Sequence, residues 1–462
     1  MLGGCGQTAA GPVAEGAVLP LLARIKGCGP ASKVAARLHV ACVRRKGEYG
    51  MWWPGAVWDG EAARESITAK IKTEAQALGM QLDLRPEPIY SNEEADAWVA
   101  ECAAAKPDGL LLVMLDRQQH AWPTAKKAVD TGLRTIIYSP VGTSFTTNTA
   151  PLAAATNAVI YSTDDFSQVA QGMRIIQAGV KMRAARCLVL RGGERKDAAM
   201  EGLGIGLQYL PAATFLDLYN QTPTDGEIRT IAEAYLRGAR RVAGATRDDI
   251  LNGVKSYVVA RRLLAQEQAD AITMDCLGAL GKSKVSLPCI AWSRMNDDGI
   301  PAACEADLGA VASHIVVQYL CGRPGFQQDP VAETAQEAII GAHCSCATRL
   351  NGPEAPAEPY DIIHHHGNRD AVPRTLWREG QEVTSIDVMP GKTPKMLIAT
   401  GRVLGNVDVP PAGGCVVSVM VKFDGTGDVL AWPGFHQVFF YGNWRRVLAD
   451  FCRLHGIEAQ IV

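Results

Sequence analysis

The stretch Pro288–Pro330, PCIAWSRMNDDGIPAACEADLGAVASHIVVQYLCGRPGFQQDP, decides how the rest of the chain is read. An apolar opening (Pro288–Ala291) leads through a polar turn to two carboxylates, Glu305 and Asp307. Leu308, Val311, Ile315, Val316 and Leu320 then recur at helical spacing, and Gly322 and Pro324 end the pattern. A short segment delivers Asp329. Glu305 and Asp329 therefore flank one helix, and a fold could bring both onto one cleft. Acids near helix N-termini are also ordinary caps, because they accept from free N–H groups and meet the positive end of the helix dipole. The residues alone leave Glu305 open between cap and site.

Upstream of this stretch, strands alternate with helices. ARLHVACV from Ala36, Leu82–Leu84, Asp108–Leu115 and Thr135–Tyr138 read as strands, with helical patterns at Ala62–Leu78 and Ser91–Ala105 between them. Val159–Tyr161 reads as the opening strand of a second unit, or a linker to it. A helix (Asp165–Arg183), the strand Arg186–Leu190, two more helical patterns (Asp225–Arg240, Arg247–Gln268) and the strand Ala271–Asp275 follow. Such alternation indicates parallel sheets covered on both faces. Downstream of about Arg323 the character changes. Ala338–Ile340, Val383–Met389, Met396–Thr400, Cys415–Phe423 and Gln437–Tyr441 are β-like and separated by turn residues, and a helix closes the chain at Trp444–Leu454. The expected class is α/β: two Rossmann-like domains with parallel sheets, then a β-rich, antiparallel, barrel-like domain. The expected boundaries are a flexible tail over 1–33, domains over 34–156 and 157–322, and a C-terminal domain over 323–462.

Within this frame, CEADLGAVASHIVVQYLCGRPGFQQDP (304–330) resembles the metal-binding segment of the L-fucose isomerase family, relatives of L-arabinose isomerase. The segment WPGFHQVFFYGNWRRVLADFCRLHGIEAQIV (432–462) matches the context of that family's C-terminal histidine. The resemblance implies a divalent metal, usually Mn²⁺, with Mg²⁺ the next choice, bound by Glu305, Asp329 and His436. Glu305 and Asp329 would also serve as base and acid. It implies the same three-part architecture and a trimer or hexamer with sites near subunit boundaries. The chemistry suits these residues. Moving a hydrogen between C1 and C2 of a sugar builds negative charge on an enediolate, which a cation held by carboxylates stabilises. Two oxygen ligands and one imidazole favour Mn²⁺ or Mg²⁺ over a thiolate-seeking ion.

Further candidates are weaker. Asp275 ends a strand that points toward the same cleft. His343, in GAHCSCA, falls where arabinose-type relatives place a metal-binding histidine, or is a satisfied buried ring. Trp432 could stack on a sugar or fill the core. Trp53, in the loop after the first strand, could line a sugar site, a subunit contact or its own domain. His120 follows the strand Asp108–Leu115 and could enter a neighbouring subunit's pocket. His364–His366 reads as a solvated loop rather than a metal site, since consecutive residues cannot all face one ion. Cys344-Ser-Cys346 lacks the second pair that zinc would need. Arg191, Arg45 and Lys46 at strand ends make an anionic sugar conceivable.

Bulk properties exclude other classes. A formal charge of −2 without basic runs argues against nucleic acid, and no run nears the ~18 apolar residues of a membrane span. The 13 cysteines are odd in number and scattered, which reads as free thiols in a reducing compartment, hence a cytoplasmic protein. Leu2-Gly-Gly-Cys5 resembles a lipobox but has no apolar stretch before it, so the start is expected to be a plain tail. The leading expectation is a metal-dependent aldose–ketose isomerase working through an enediol. The alternatives are an epimerase, aldolase or lyase on a modified sugar, and a non-catalytic sugar-binding protein.

Overall fold

The structure, a computed structural model, describes residues 27–47, 49, 59–117, 119–281, 283, 285–365, 369–408, 415–425 and 427–462. Continuous apolar runs form the inner strands of the first sheet, as they must when both faces are covered. Its order is Gln81–Leu84, Arg37–Val43, Gly109–Met114, Thr135–Ser139, Ala158–Ser162, all parallel. The last of these corrects one expectation. Val159–Tyr161 neither opens the second unit nor links to it, because Ala158–Ser162 pairs in register with Thr135–Ser139 and completes the first sheet.

The second sheet runs Ala302–Cys304, Ala271–Met274, Arg186–Leu190, Gly206–Leu210, Lys196–Ala199, and only the last strand is antiparallel. The chain then builds a barrel. Its order is Glu382–Met389, Gln437–Tyr441, Phe326–Glu333, Ala338–His343, Val417–Phe423, Lys395–Asn406, all antiparallel. Lys395–Asn406 pairs back onto Glu382–Met389 and closes the ring, which removes the open edges of a β-sheet.

Two segments cross the expected boundaries. The hairpin Tyr360–His365 and Arg369–Thr375 stands outside the barrel and pairs with Arg241–Ala243. Part of 27–33, expected in a flexible tail, is packed: Gly29 and Ala31 are buried, and the Ala31 N–H donates to Asp270 Oδ2 at 3.2 Å. The remainder of that tail up to residue 26 lies outside the described residues. One hydrophobic core runs through all three parts, from Leu38 and Ile136 past Val189 and Val311 to Ile386, Ile398 and Phe440. No described helix is long and apolar enough to cross a membrane.

A carboxylate–histidine centre at the seam of sheet and barrel

Barrel register gathers three of the candidates before any side chain is considered. Asp329 stands opposite Ala342, the neighbour of His343, and Gln328 stands opposite Gln437, the neighbour of His436. Antiparallel pairing thus places Asp329, His343 and His436 along one rim. The second sheet supplies Glu305. Its strand Ala302–Cys304 ends against that rim, where the Cys304 N–H donates to the buried Gln327 Oε1 at 2.8 Å.

The chain then turns sharply. Glu305 and Ala306 have φ of 64° and 53°, and His436 has φ of 51°. Left-handed backbone costs a side-chain-bearing residue about 1–2 kcal/mol, so these positions are strained where the candidate groups sit. The Ala306 N–H on the Met274 carbonyl (2.9 Å) pins the first turn. The second depends on Gly434, at φ 82°, where a Cβ would lie 2.6 Å from Asp387 Oδ2.

The distances are short. His436 Nε2 lies 3.2 Å from Asp329 Oδ1 and 3.6 Å from Glu305 Oε2, and His343 Nε2 lies 3.6 Å from Glu305 Oε1. The donor atoms of Glu305, His343 and His436 all fall within 4.8 Å of one another. His343 therefore joins the group as closely as Asp329 does. His436 Nδ1–H donates to Asp307 Oδ2 at 2.9 Å, while Asp307 Oδ1 accepts from the Ala310 N–H and caps the helix Leu308–Val316. Asp307 is thus both the cap that its position implied and the group that orients His436. The second role was not legible, because its partner is 129 residues away.

Electrostatics separate the carboxylates. Burial raises Glu305 above the usual carboxylate range; His436 opposes this, while Asp329, Asp307 and Asp275 add to it. Burial also acts on Asp329, but the two histidines outweigh it and hold that carboxyl low. Burial alone would lower His436, yet its bonds to Asp307 and Asp329 prevail and push it up to about 10. Asp329 Oδ1 is buried without a hydrogen bond of good geometry. Two carboxylates beside two imidazoles, one carboxylate oxygen lacking a well-aligned hydrogen bond, make a donor set that fits a divalent cation.

The other candidates sit differently. Asp275 caps the short helix Cys276–Leu280 through the Gly278 N–H, and its charge reaches Glu305. Trp432 stacks on Phe423 (centroids 4.6 Å apart) and donates to Gln437 Oε1, so one ring face is covered. His120 is buried at the start of the helix Ala121–Asp130, its Nε2 on the Ile89 carbonyl, within the first sheet's surroundings and not in the Glu305 group. Trp53 lies outside the described residues. Arg45 pairs with the buried Asp116 at 3.0 Å and Lys46 covers the Tyr90 ring, whereas Arg191 lines a surface cavity with Lys196 and Tyr209.

No family model matches this chain. It is similar to sulfoquinovose isomerase from Clostridium sp. (strain MSTE9), with 26% identity over 252 residues. The matched region is 51% of this chain and 53% of that protein, so the chain spans about half the length of the curated relative it matches. Sequence motifs and comparison therefore agree at the level of a likeness to sugar isomerases.

Proposed function

We propose that this chain is a divalent-metal-dependent aldose–ketose isomerase, akin to the L-fucose isomerases, acting on a monosaccharide through an enediol. The observation that carries this reading is the convergence of Glu305, Asp329, His343 and His436 at one seam. The likeness to a sulfoquinovose isomerase extends the proposal to a sugar with an anionic C6 sulfonate. Glu305, Asp329 and His436 would hold Mn²⁺ or Mg²⁺, with His343 beside them. When bound, such an ion polarises the sugar's carbonyl and adjacent hydroxyl and stabilises charge between C1 and C2.

The remaining work belongs to the chain. Glu305, whose carboxyl is raised by burial above an ordinary glutamate's, is the stronger base of the two carboxylates, which suits it to take the proton from C2 and return it to C1. Asp329, which the two histidines hold low, supplies negative charge beside it. Asp307 keeps the Nδ1 proton of His436 in place, so that Nε2 is the nitrogen turned toward both carboxylates. The exposed Phe435 and Leu430, 61% and 72% accessible beside this rim, support a homo-oligomer that covers them, and the resemblance to the L-fucose isomerases implies a trimer or hexamer. The twelve described cysteines, all free, support a reducing, cytoplasmic setting.

The test is metal-stripped protein resupplied with Mn²⁺ and incubated with sulfoquinovose and a panel of neutral aldoses and ketoses in D₂O, read by NMR. Manganese-dependent conversion of sulfoquinovose, with deuterium appearing beside the carbonyl, is the expected result. Conversion of neutral sugars alone would remove the sulfonate, and conversion without deuterium would leave a hydride shift or a proton transfer shielded from solvent as the route. No conversion by metal-loaded protein would overturn the proposal.

A further inference from the structure

We infer that Cys289, Cys344 and His365 form a second metal site, one that takes a thiophilic cation such as Zn²⁺. Their donor atoms all lie within 4.8 Å of one another. All three residues are buried, at 3%, 8% and 1% exposure. They arrive on three separate elements: Cys289 opens the helix Cys289–Asp297, Cys344 follows the barrel strand Ala338–His343, and His365 ends the strand Tyr360–His365. The hairpin register slips between His364 and His365, and such a bulge re-aims a side chain. His364 meets the Asp370 carbonyl at its Nδ1, while His365 turns to the two cysteines.

The dimensions suit the ion. Tetrahedral zinc with Zn–S near 2.3 Å separates two thiolates by about 3.8 Å, so ligand atoms within 4.8 Å need only a small contraction. Buried cysteine by itself behaves as a small hydrophobe, and one such residue would mean nothing. Here an imidazole is brought to the thiols, and further thiols continue outward: Cys344 interacts with Cys304, and Cys304 with Cys276. Two thiolates and a histidine leave a fourth position, with the Cys304 thiol close by. A sulfur-rich set of this kind selects zinc or copper(I) over the hard cations suited to the carboxylate centre. Binding needs no oxidant or reductant; each thiol that ligates releases its proton to solvent. The two centres also touch, since His343 Nδ1 lies 3.5 Å from Cys344 Sγ while its Nε2 faces Glu305.

Cobalt(II) tests the inference independently of any catalytic activity. The full chain, reduced, metal-free and carrying Glu305→Gln and Asp329→Asn to disable the carboxylate centre, is titrated with Co²⁺. The expected result is one equivalent bound, with a near-ultraviolet thiolate-to-cobalt charge-transfer band that Zn²⁺ abolishes by displacement. Cys289→Ser and Cys344→Ser should each lose the band, and Cys346→Ser should keep it. Displacement by copper(I) but not by Zn²⁺ would overturn zinc as the cation. Absence of the band in the chain with all its cysteines would overturn the site outright, whether or not the serine variants fold. A band that survives both substitutions would overturn the ligand assignment.

Discussion

The Glu305 group and the Cys289 group meet along the chain at His343–Cys344, yet their surroundings are opposite. Glu305 is 36% and Asp329 30% accessible at the side chain, and the backbone there is left-handed at three positions. Cys289, Cys344 and His365 are enclosed, on a helix start, a strand end and a bulged hairpin. One arrangement leaves room for a ligand to approach and keeps charge at the surface. The other is enclosed, and its ligand set among the described residues is two thiols and an imidazole. The contrast teaches that one peptide step at the end of a strand suffices to change a donor set from hard to soft, because the chain leaves the sheet there and successive side chains point to different surroundings.

The sharpest way to break the comparison is Glu305→Gln. It should lower kcat for the isomerisation by roughly 10²–10⁴-fold while the melting temperature holds or rises, since an uncharged amide replaces a half-buried acid. Full activity in that variant would dissolve the distinction between the two centres. Asp307→Ala should come next. Losing the Nδ1 partner of His436 is expected to weaken Mn²⁺ binding by about 10–100-fold by calorimetry, and losing the helix cap should cost about 1 kcal/mol in urea melts. An unchanged affinity would show that His436 needs no orienting group.

The third prediction is smaller and concerns what lies beneath the seam. His314 is fully buried with neither ring nitrogen hydrogen-bonded, and burial pushes it from 6.5 down to about 3. Above 6.5 neither the folded nor the unfolded chain protonates it. As the pH falls below 6.5 the unfolded chain takes up a proton that the folded chain refuses. Stability should therefore fall on acidification, by about 1.4 kcal/mol per pH unit from this group. His314→Leu should flatten that slope in urea melts across pH 6.5 to 4.5; an unaltered slope would place its origin elsewhere.

Much of the fold was legible because fully covered strands are written as apolar runs. Arg186–Leu190 and Gly109–Met114 needed little more than their own residues. Ala158–Ser162 was misassigned because nothing local says which sheet a strand joins; that depends on a partner it meets only after folding. The strand Phe326–Glu333 was read as a short segment, since Gln327, Gln328 and Asp329 break the apolar pattern, and the two glutamines are buried amides serving the seam. At the site, motif context named Glu305, Asp329 and His436, which the barrel register gathers. Cys344 and the run His364–His366 were each set aside as metal sites, for Cys289, Cys344 and His365 share no spacing, and His365, read as part of a solvated loop, is a buried residue at the end of a strand.

The three left-handed residues carry a consequence for anyone who would reshape this molecule. At positions 305, 306 and 436 glycine would relieve the backbone, yet two of the three hold side chains that the proposed chemistry needs. A library sorted on heat resistance alone would reward the very replacements that empty the centre. Sorting on turnover would preserve the strain. At these positions durability and chemistry pull the sequence in opposite directions, so a screen must measure both.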